Sequence, residues 1–268
     1  MNILFIGDIV ARAGREVLHQ HLKSVQEEFD IDCTIANCEN AAAGFGVTPK
    51  IANELLSWGV DVLTSGNHIW DKKEILPYLD AQPRILRPAN YPSVNPGHGA
   101  VVINTTRGDA VAVINIQGLS FMPPIDDPFR AVDRELVQVS DGARVVVVDI
   151  HAEATAEKVA IGWYLDGKVS AVLGTHTHIT TADERILPEG TAYQTDAGMC
   201  GDYDSVIGMQ KEASIGNFLR KLPRERMKPA EGEATFCGVF VESDPATGLA
   251  IRVAPVRCGG RLSAALPA

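Results

Sequence analysis

Positive charge is scarce in this sequence: 24 lysines and arginines stand against 34 aspartates and glutamates, for a net charge of −10. That balance argues against broad sequence-independent contact with DNA or RNA, which needs cations clustered along the phosphate path. It leaves room for a small phosphorylated ligand, because a bound divalent ion inverts the potential locally. Also lacking is any apolar run near the roughly 20 residues that cross a bilayer, so no membrane contact is expected. The cysteines, at 33, 38, 200, 237 and 258, are odd in number and form no Cys-x-x-Cys pair. Reduced thiols in a reducing compartment are the expectation. Cys38 stands between Asn37 and Glu39, but strand alternation turns it to the opposite face, toward the core. The opening segment, Met1 to Asp8, has neither the basic stretch nor the long apolar core of a secretion signal. It reads as a first strand, and a cytoplasmic protein is expected.

What is present is ample core material: 46% of the 268 residues are hydrophobic, enough for one domain spanning 1–268. Strands are expected at 1–8, 33–38, 61–65, 144–149 and 171–174. Helices are expected at 13–29, from an N-cap at Thr48 to Trp58, near 72–79, at 129–139, from about Ala154, and at 209–222. The apolar stripe of the helix near Ala154 is read on Ala156, Val159, Ala160 and Trp163. Segments 100–105 and 110–115 flank Arg107-Gly108-Asp109 as a hairpin, and 235–241 with 249–256 form a closing one. This mixture predicts an α/β sandwich; a TIM barrel, the alternative at this length, would need eight regular βα units.

The strand ends carry the chemistry. Ile3 to Gly7 ends in Asp8, and Thr34 to Cys38 ends in Glu39-Asn40. Val62-Leu63 leads to Gly66-Asn67-His68, Val145 to Val148 leads to Asp149-Ile150-His151, and Ala171 to Leu173 leads to Gly174-Thr175-His176-Thr177-His178. Parallel strands gather their C-terminal ends at one edge, where open α/β sheets bind ligands. Carboxylates with imidazoles suit zinc, manganese or iron better than calcium or magnesium. Asp8 reads as a ligand, with a helix N-cap as the structural alternative. Glu39 is placed to bridge two cations. His176 and His178, one residue apart on an extended segment, would project to the same side. Asn67 offers a neutral oxygen, and His68, facing elsewhere, suits a proton donor.

His98 reads as a turn residue, and His19 and His21 as solvated helix residues. Arg12 and Arg15 lie where phosphate contacts form as readily as ordinary surface pairs. Tyr91, Phe121 and Phe129 could wall a base pocket, although loop packing is the favoured reading.

Taken together, Gly7-Asp8, Asn37-Cys38-Glu39-Asn40, Gly66-Asn67-His68, Asp149 to Thr155 and Gly174 to His178 resemble the calcineurin-like metallophosphoesterases, and more closely their bacterial YmdB-like branch. The resemblance implies a four-layer α-β-β-α sandwich of two mixed sheets with flanking helices. It implies two divalent or trivalent metal ions, iron first and manganese or zinc as alternatives. Asp8, Asn40 and His178 would hold one ion, and Asn67, His151 and His176 the other, with Glu39 bridging and His68 as general acid. Two departures stand out. The superfamily's Asp-x-His opening is here Asp8-Ile9-Val10, with Asn40 in place of the missing imidazole. No acid follows Glu39 three residues on, since position 42 is Ala42, so a carboxylate for His68 must come from elsewhere, with Asp71 as the candidate.

The implied function is hydrolysis of small phosphodiesters by a metal-bridging hydroxide, with 2′,3′-cyclic nucleotides first and 3′,5′-cyclic AMP second. The rival is a regulatory protein that binds a nucleotide or partner, with turnover incidental. A closed structural metal centre fits poorly, because such zinc sites use four Cys or His ligands. The expected partner is a small phosphodiester or nucleotide, not DNA and not a membrane; a homo-oligomer is left open.

Overall fold

The computed structural model describes residues 1–220 and 226–267. Its strands in chain order are β1 (Asn2–Ile9), β2 (Cys33–Asn37), β3 (Val62–Thr64), β4 (Ala100–Asn104), β5 (Ala110–Gln117), β6 (Val145–His151), β7 (Ala171–Thr175), β8 (Arg185–Ile186), β9 (Ala192–Gln194), β10 (Met199–Asp202), β11 (Ala234–Ser243) and β12 (Ala250–Cys258). They form two six-stranded mixed sheets. The first runs β12-β11-β10-β1-β2-β3, with β10, β1, β2 and β3 parallel and the closing hairpin antiparallel. The second runs β4-β5-β6-β7-β9-β8, parallel from β5 to β9 with antiparallel edges.

Period-two alternation explains the layering. On β1, Ile3 and Phe5 face the second sheet, packing in one buried cluster with Val113, Val147 and Leu173. Leu4 and Ile6 face outward, under Val17, Leu18 and Leu22 of helix α1 (Ala11–Glu28) and Leu55 of α2 (Pro49–Ser57). A helix α3 spans Leu76–Ala81. Helices α4 (Pro128–Val139) and α5 (Thr155–Tyr164) cover the far face of the second sheet, where Val132 and Ile161 meet Ile114, Val148 and Val172. Strands buried on both faces read as unbroken apolar runs, as β5 and β6 do. The result is the expected four-layer sandwich; two open sheets exclude the barrel.

Local corrections are instructive. Thr48 caps α2 as expected, its side chain accepting from Ile51 N. The segment 72–79 divides into a 3-10 turn at Lys73–Ile75 and α3, and a further 3-10 turn, Asn67–Trp70, follows β3. The helix expected over 209–222 is α6 (Lys211–Arg220), and Leu222 lies outside the described residues. The largest miss is α5. It buries Lys158, Ile161 and Gly162, while Trp163 is 52% exposed. A lysine on the inward face breaks the apolar stripe that sequence periodicity detects; its charge is met by Asp196.

Candidate metal centre

The parallel strands of both sheets deliver their C-terminal turns to one edge. Asp8 lies within β1, where the pairing with β2 shifts between Ile6 and Asp8. It is not the helix cap: α1 begins after Val10, with no side-chain cap. Glu39 and Asn40 follow β2, Asn67 and His68 open the 3-10 turn after β3, His151 ends β6, and His176 and His178 follow β7.

Two groups of donors form around Glu39. In one, Glu39 Oε1 lies 3.1 Å from His151 Nε2, and that nitrogen lies 3.0 Å from His176 Nδ1. Ligand atoms of these three residues all lie within 4.8 Å of one another. In the other, His178 Nε2 lies 3.0 Å from Asn40 Nδ2 and 3.9 Å from Asp8 Oδ1. Asn40 Nδ2 also donates to Glu39 Oε1 at 3.2 Å. Glu39 therefore touches both groups, and its other oxygen accepts from His68 N at 2.9 Å.

The rings are oriented from behind. His151 Nδ1 lies 2.9 Å from Thr175 Oγ1, which donates to Asp149 Oδ1 at 2.7 Å. His178 Nδ1 donates to the Ile207 carbonyl at 2.8 Å. Each contact keeps a proton on Nδ1 and turns Nε2 inward, the arrangement that metal-binding histidines adopt. Gly66 makes room: a Cβ there would stand 2.0 Å from His151 Cδ2.

Electrostatics follow from burial and crowding. Burial pushes the Asp8 carboxyl up. Burial would also raise Glu39, but His151 and His68 override it and hold its carboxyl at about 2. Burial opposes charge on His151, yet Glu39, Asp8 and Asp149 raise it to about 9. His176 is pushed down to about 3 by burial and by its neighbour His151. Asp149 rises to about 6, chiefly through burial.

The residues fit a metal centre by their unmet valence. Asp8 Oδ1 and Asn67 Oδ1 are buried with no hydrogen-bond partner, a costly state that a cation would relieve. His68 stands at the mouth, its Nδ1 2.8 Å from Asp71 Oδ2 and its ring edge-on to Phe45 at 5.0 Å. The cleft it shares with Glu39 and the two distal histidines measures ≈ 320 Å³, with apolar walls from Phe45, Ile207, Met209 and Met227.

One expectation changes, and it concerns the histidine pair after β7. His176 and His178 are not on an extended segment: their φ values are 98° and 66°, and the rings part, one toward His151 and the other toward Ile207. Tyr91 hydrogen-bonds Gln117 and packs on Trp70, and Phe129 packs on Tyr164. Phe121 is 92% exposed, and none of the three lines the cleft. Arg12 pairs with Glu16, and Arg15 donates to the Ala41 carbonyl. Cys38 is buried, its thiol held neutral by burial. Sequence reasoning missed Thr175, Lys158, Asp196 and the Ile207 carbonyl. Only Thr175, between two glycine- and histidine-bearing positions of one motif, carried a usable signal.

The chain is similar to proteins already known. The model of the YmdB-like protein family matches residues 4–256. A 2′,3′-cyclic-nucleotide 2′-phosphodiesterase of Bacillus subtilis is 46% identical over 253 residues, covering 94% of this chain and 95% of that protein. Among solved structures, a hypothetical protein from Thermus thermophilus is 40% identical, with a TM-score of 0.90 over 97% of this chain and 100% of the other. A novel phosphatase from Mycoplasma pneumoniae is 33% identical, also with a TM-score of 0.90, over 97% of this chain and 93% of the other. Matched by the family model over residues 4–256 and similar to these proteins over nearly its full length, the chain belongs to the YmdB-like family.

Proposed function

We propose that the chain hydrolyses small phosphodiesters at a two-ion centre, 2′,3′-cyclic nucleotides first and 3′,5′-cyclic AMP second. Asp8, Asn40 and His178 would hold one ion, and Asn67, His151 and His176 the other, with Glu39 shared. The observation that carries this reading is the position of Glu39, in contact with His151 on one side and Asn40 on the other. The name and 46% identity of the Bacillus subtilis relative support the substrate class. Oxygen-rich donors with imidazoles suit iron or manganese, with zinc as the alternative. When bound, two such cations supply hydroxide at neutral pH and take up charge on the phosphoryl oxygens.

The protein's own groups do the rest. Thr175 and the Ile207 carbonyl keep His151 and His178 pointing inward. The apolar walls limit water and offer a surface to a base. Asp71 holds Nδ1 of His68, which leaves Nε2 to protonate the departing alkoxide as the P–O bond breaks.

The test is metal analysis of the purified protein with a panel of mono- and diesters, repeated for His68→Ala. Turnover of a cyclic nucleotide should fall about 10²- to 10⁴-fold in the variant with its ions retained. The loss should shrink for a nitrophenyl diester, whose leaving group departs without a proton. Fewer than two ions per chain would remove the two-ion centre, and tight nucleotide binding without turnover would favour the regulatory alternative.

A further inference from the structure

Beside the catalytic cleft lies a second depression of ≈ 540 Å³. Phe45 and Met227 line both, so the two are neighbours with these side chains in common. Among the described residues, the groove wall carries Lys72, Arg226 and Lys228, with Asn217, and no carboxylate. In a chain of net charge −10, that is a local reversal of sign beside the reaction centre. Its loops are those that carry the candidate catalytic groups: Ala43 to Phe45 follow Asn40, and Lys72 follows His68 to Asp71. Lys72 is seated along the bare backbone of Gly46, where a Cβ would meet its Cγ at 2.8 Å. Its stem is packed on the loop, at the wall of the groove.

The sizes of the two compartments matter. Ligand pockets run from roughly 300 to 1,000 Å³, and the catalytic cleft, at ≈ 320 Å³, suits a ligand of mononucleotide size. Such a ligand makes no use of the basic groove. Cations that follow a backbone, with apolar side chains for the bases, are the elements by which proteins hold single-stranded nucleic acid.

We propose that the groove binds the nucleotides preceding the reacting one, so that the preferred substrate is a short RNA ending in a 2′,3′-cyclic phosphate. This rests on the phosphodiesterase reading above and names the substrate class of that site. Water supplies the oxygen that bonds to phosphorus, and the bond from phosphorus to one ribose oxygen breaks. That ribose oxygen takes a proton from His68, and the RNA is left with a terminal phosphomonoester. The acidic surface elsewhere restricts contact to the few nucleotides next to the end.

The test compares cytidine 2′,3′-cyclic phosphate with a trinucleotide RNA ending in the same group, using metal-loaded wild type and the triple variant Lys72→Ala/Arg226→Ala/Lys228→Ala. In wild type, kcat/KM for the trinucleotide should exceed that for the mononucleotide about tenfold, as three charge contacts of modest strength would give. Its salt dependence should be steeper, by a log–log slope of about 1.4 for two internucleotide phosphates. The triple variant should erase both differences while its mononucleotide kcat/KM stays within about twofold, since those cations lie outside the cleft. Equal use of the two substrates by wild type, or an advantage that survives in the variant, overturns the proposal. Failure to turn over either substrate would instead count against the phosphodiesterase reading. Anisotropy of a 5′-fluorescein trinucleotide 3′-phosphate then decides the groove separately: weaker binding to the triple variant supports it, and unchanged affinity overturns it.

Discussion

Lys158 Nζ lies 2.7 Å from Asp196 Oδ2, with both side chains fully buried. The ammonium also donates to the Thr175 carbonyl, and Asp196 accepts from the amide and hydroxyl of Thr177. The pair thus clamps the chain on both sides of His176, whose φ of 98° is unfavourable for an L residue. Removing either partner strands a buried charge. Lys158→Ala and Asp196→Ala should each cost roughly 3–5 kcal/mol in urea unfolding. A Lys158→Met/Asp196→Leu variant should regain most of that stability but not the ion affinity, because the clamp on Thr177 is gone. Single variants as stable as wild type would refute this role.

Thr175 tests the support behind His151. Thr175→Val keeps the shape but removes the hydroxyl between His151 and Asp149. Ion affinity should fall about 10- to 100-fold, as is typical when the group behind a metal-binding histidine is lost. Competition with a fluorescent chelator measures it, and an unchanged affinity would mean that Thr175 does not orient the ring.

The charges at the centre set opposite pH dependences for chelator-treated and ion-loaded protein. His151 is raised to about 9, so its stabilising contribution is complete below 6.5 and is lost as pH rises through 9. Asp149, raised to about 6, acts in the same direction: its contribution is complete below 3.8 and lost as pH rises through 6. Glu39, held at about 2, contributes fully above 4.5 and loses that contribution only as pH falls through 2. His176, held near 3, is neutral above this range. After chelation, Tm should therefore decline by several degrees between pH 6.5 and 9.5. Apparent ion affinity should rise over the same interval, because binding displaces the His151 proton. Differential scanning calorimetry with and without ions reads both, and a chelated protein whose Tm climbs with pH would contradict the assignment.

The thiols give a simple count. Cys33, Cys38, Cys200 and Cys237 are buried and Cys258 is half-buried; burial raises all five. Native protein treated with iodoacetamide at pH 8 should be alkylated slowly and only at Cys258, and unfolded protein at all five positions. Mass spectrometry showing prompt labelling of Cys38 in folded protein would overturn its core placement.

How far the molecule was legible in its sequence depended on what each residue does. Strands β1, β5, β6 and β7 announce themselves as apolar runs because both their faces are covered. The residues that converge were visible because each polar side chain punctuates such a run. Lys158 was illegible for the opposite reason, since a charged residue on a buried face looks like an exposed one until its partner, 38 positions away, is seen. The Ile207 carbonyl could not be found at all, because every residue has one. The left-handed turn at His176 and His178 was hidden as well: only tertiary contacts hold two non-glycine residues there, so extended geometry was the natural inference. Tyr91 and Phe129 pack instead on aromatic neighbours, Trp70 and Tyr164, that lie far from them in the sequence.

Asp8, Glu39, Asn40 and Asn67 hang from the first sheet, and the three inward histidines from the second. Between these layers the contact is mostly alkyl, riveted near the centre by the Asn37 amide, which donates to Asp149 at 3.2 Å and Thr175 at 3.3 Å while its carbonyl holds Glu39 N. Anionic and imidazole halves are therefore jaws on a shared pivot. Repacking that pivot, at Ile35 or Val147 for instance, would alter the gape between them without replacing a single tooth, giving relatives of this chain a route to different ions or esters through oily residues far from either.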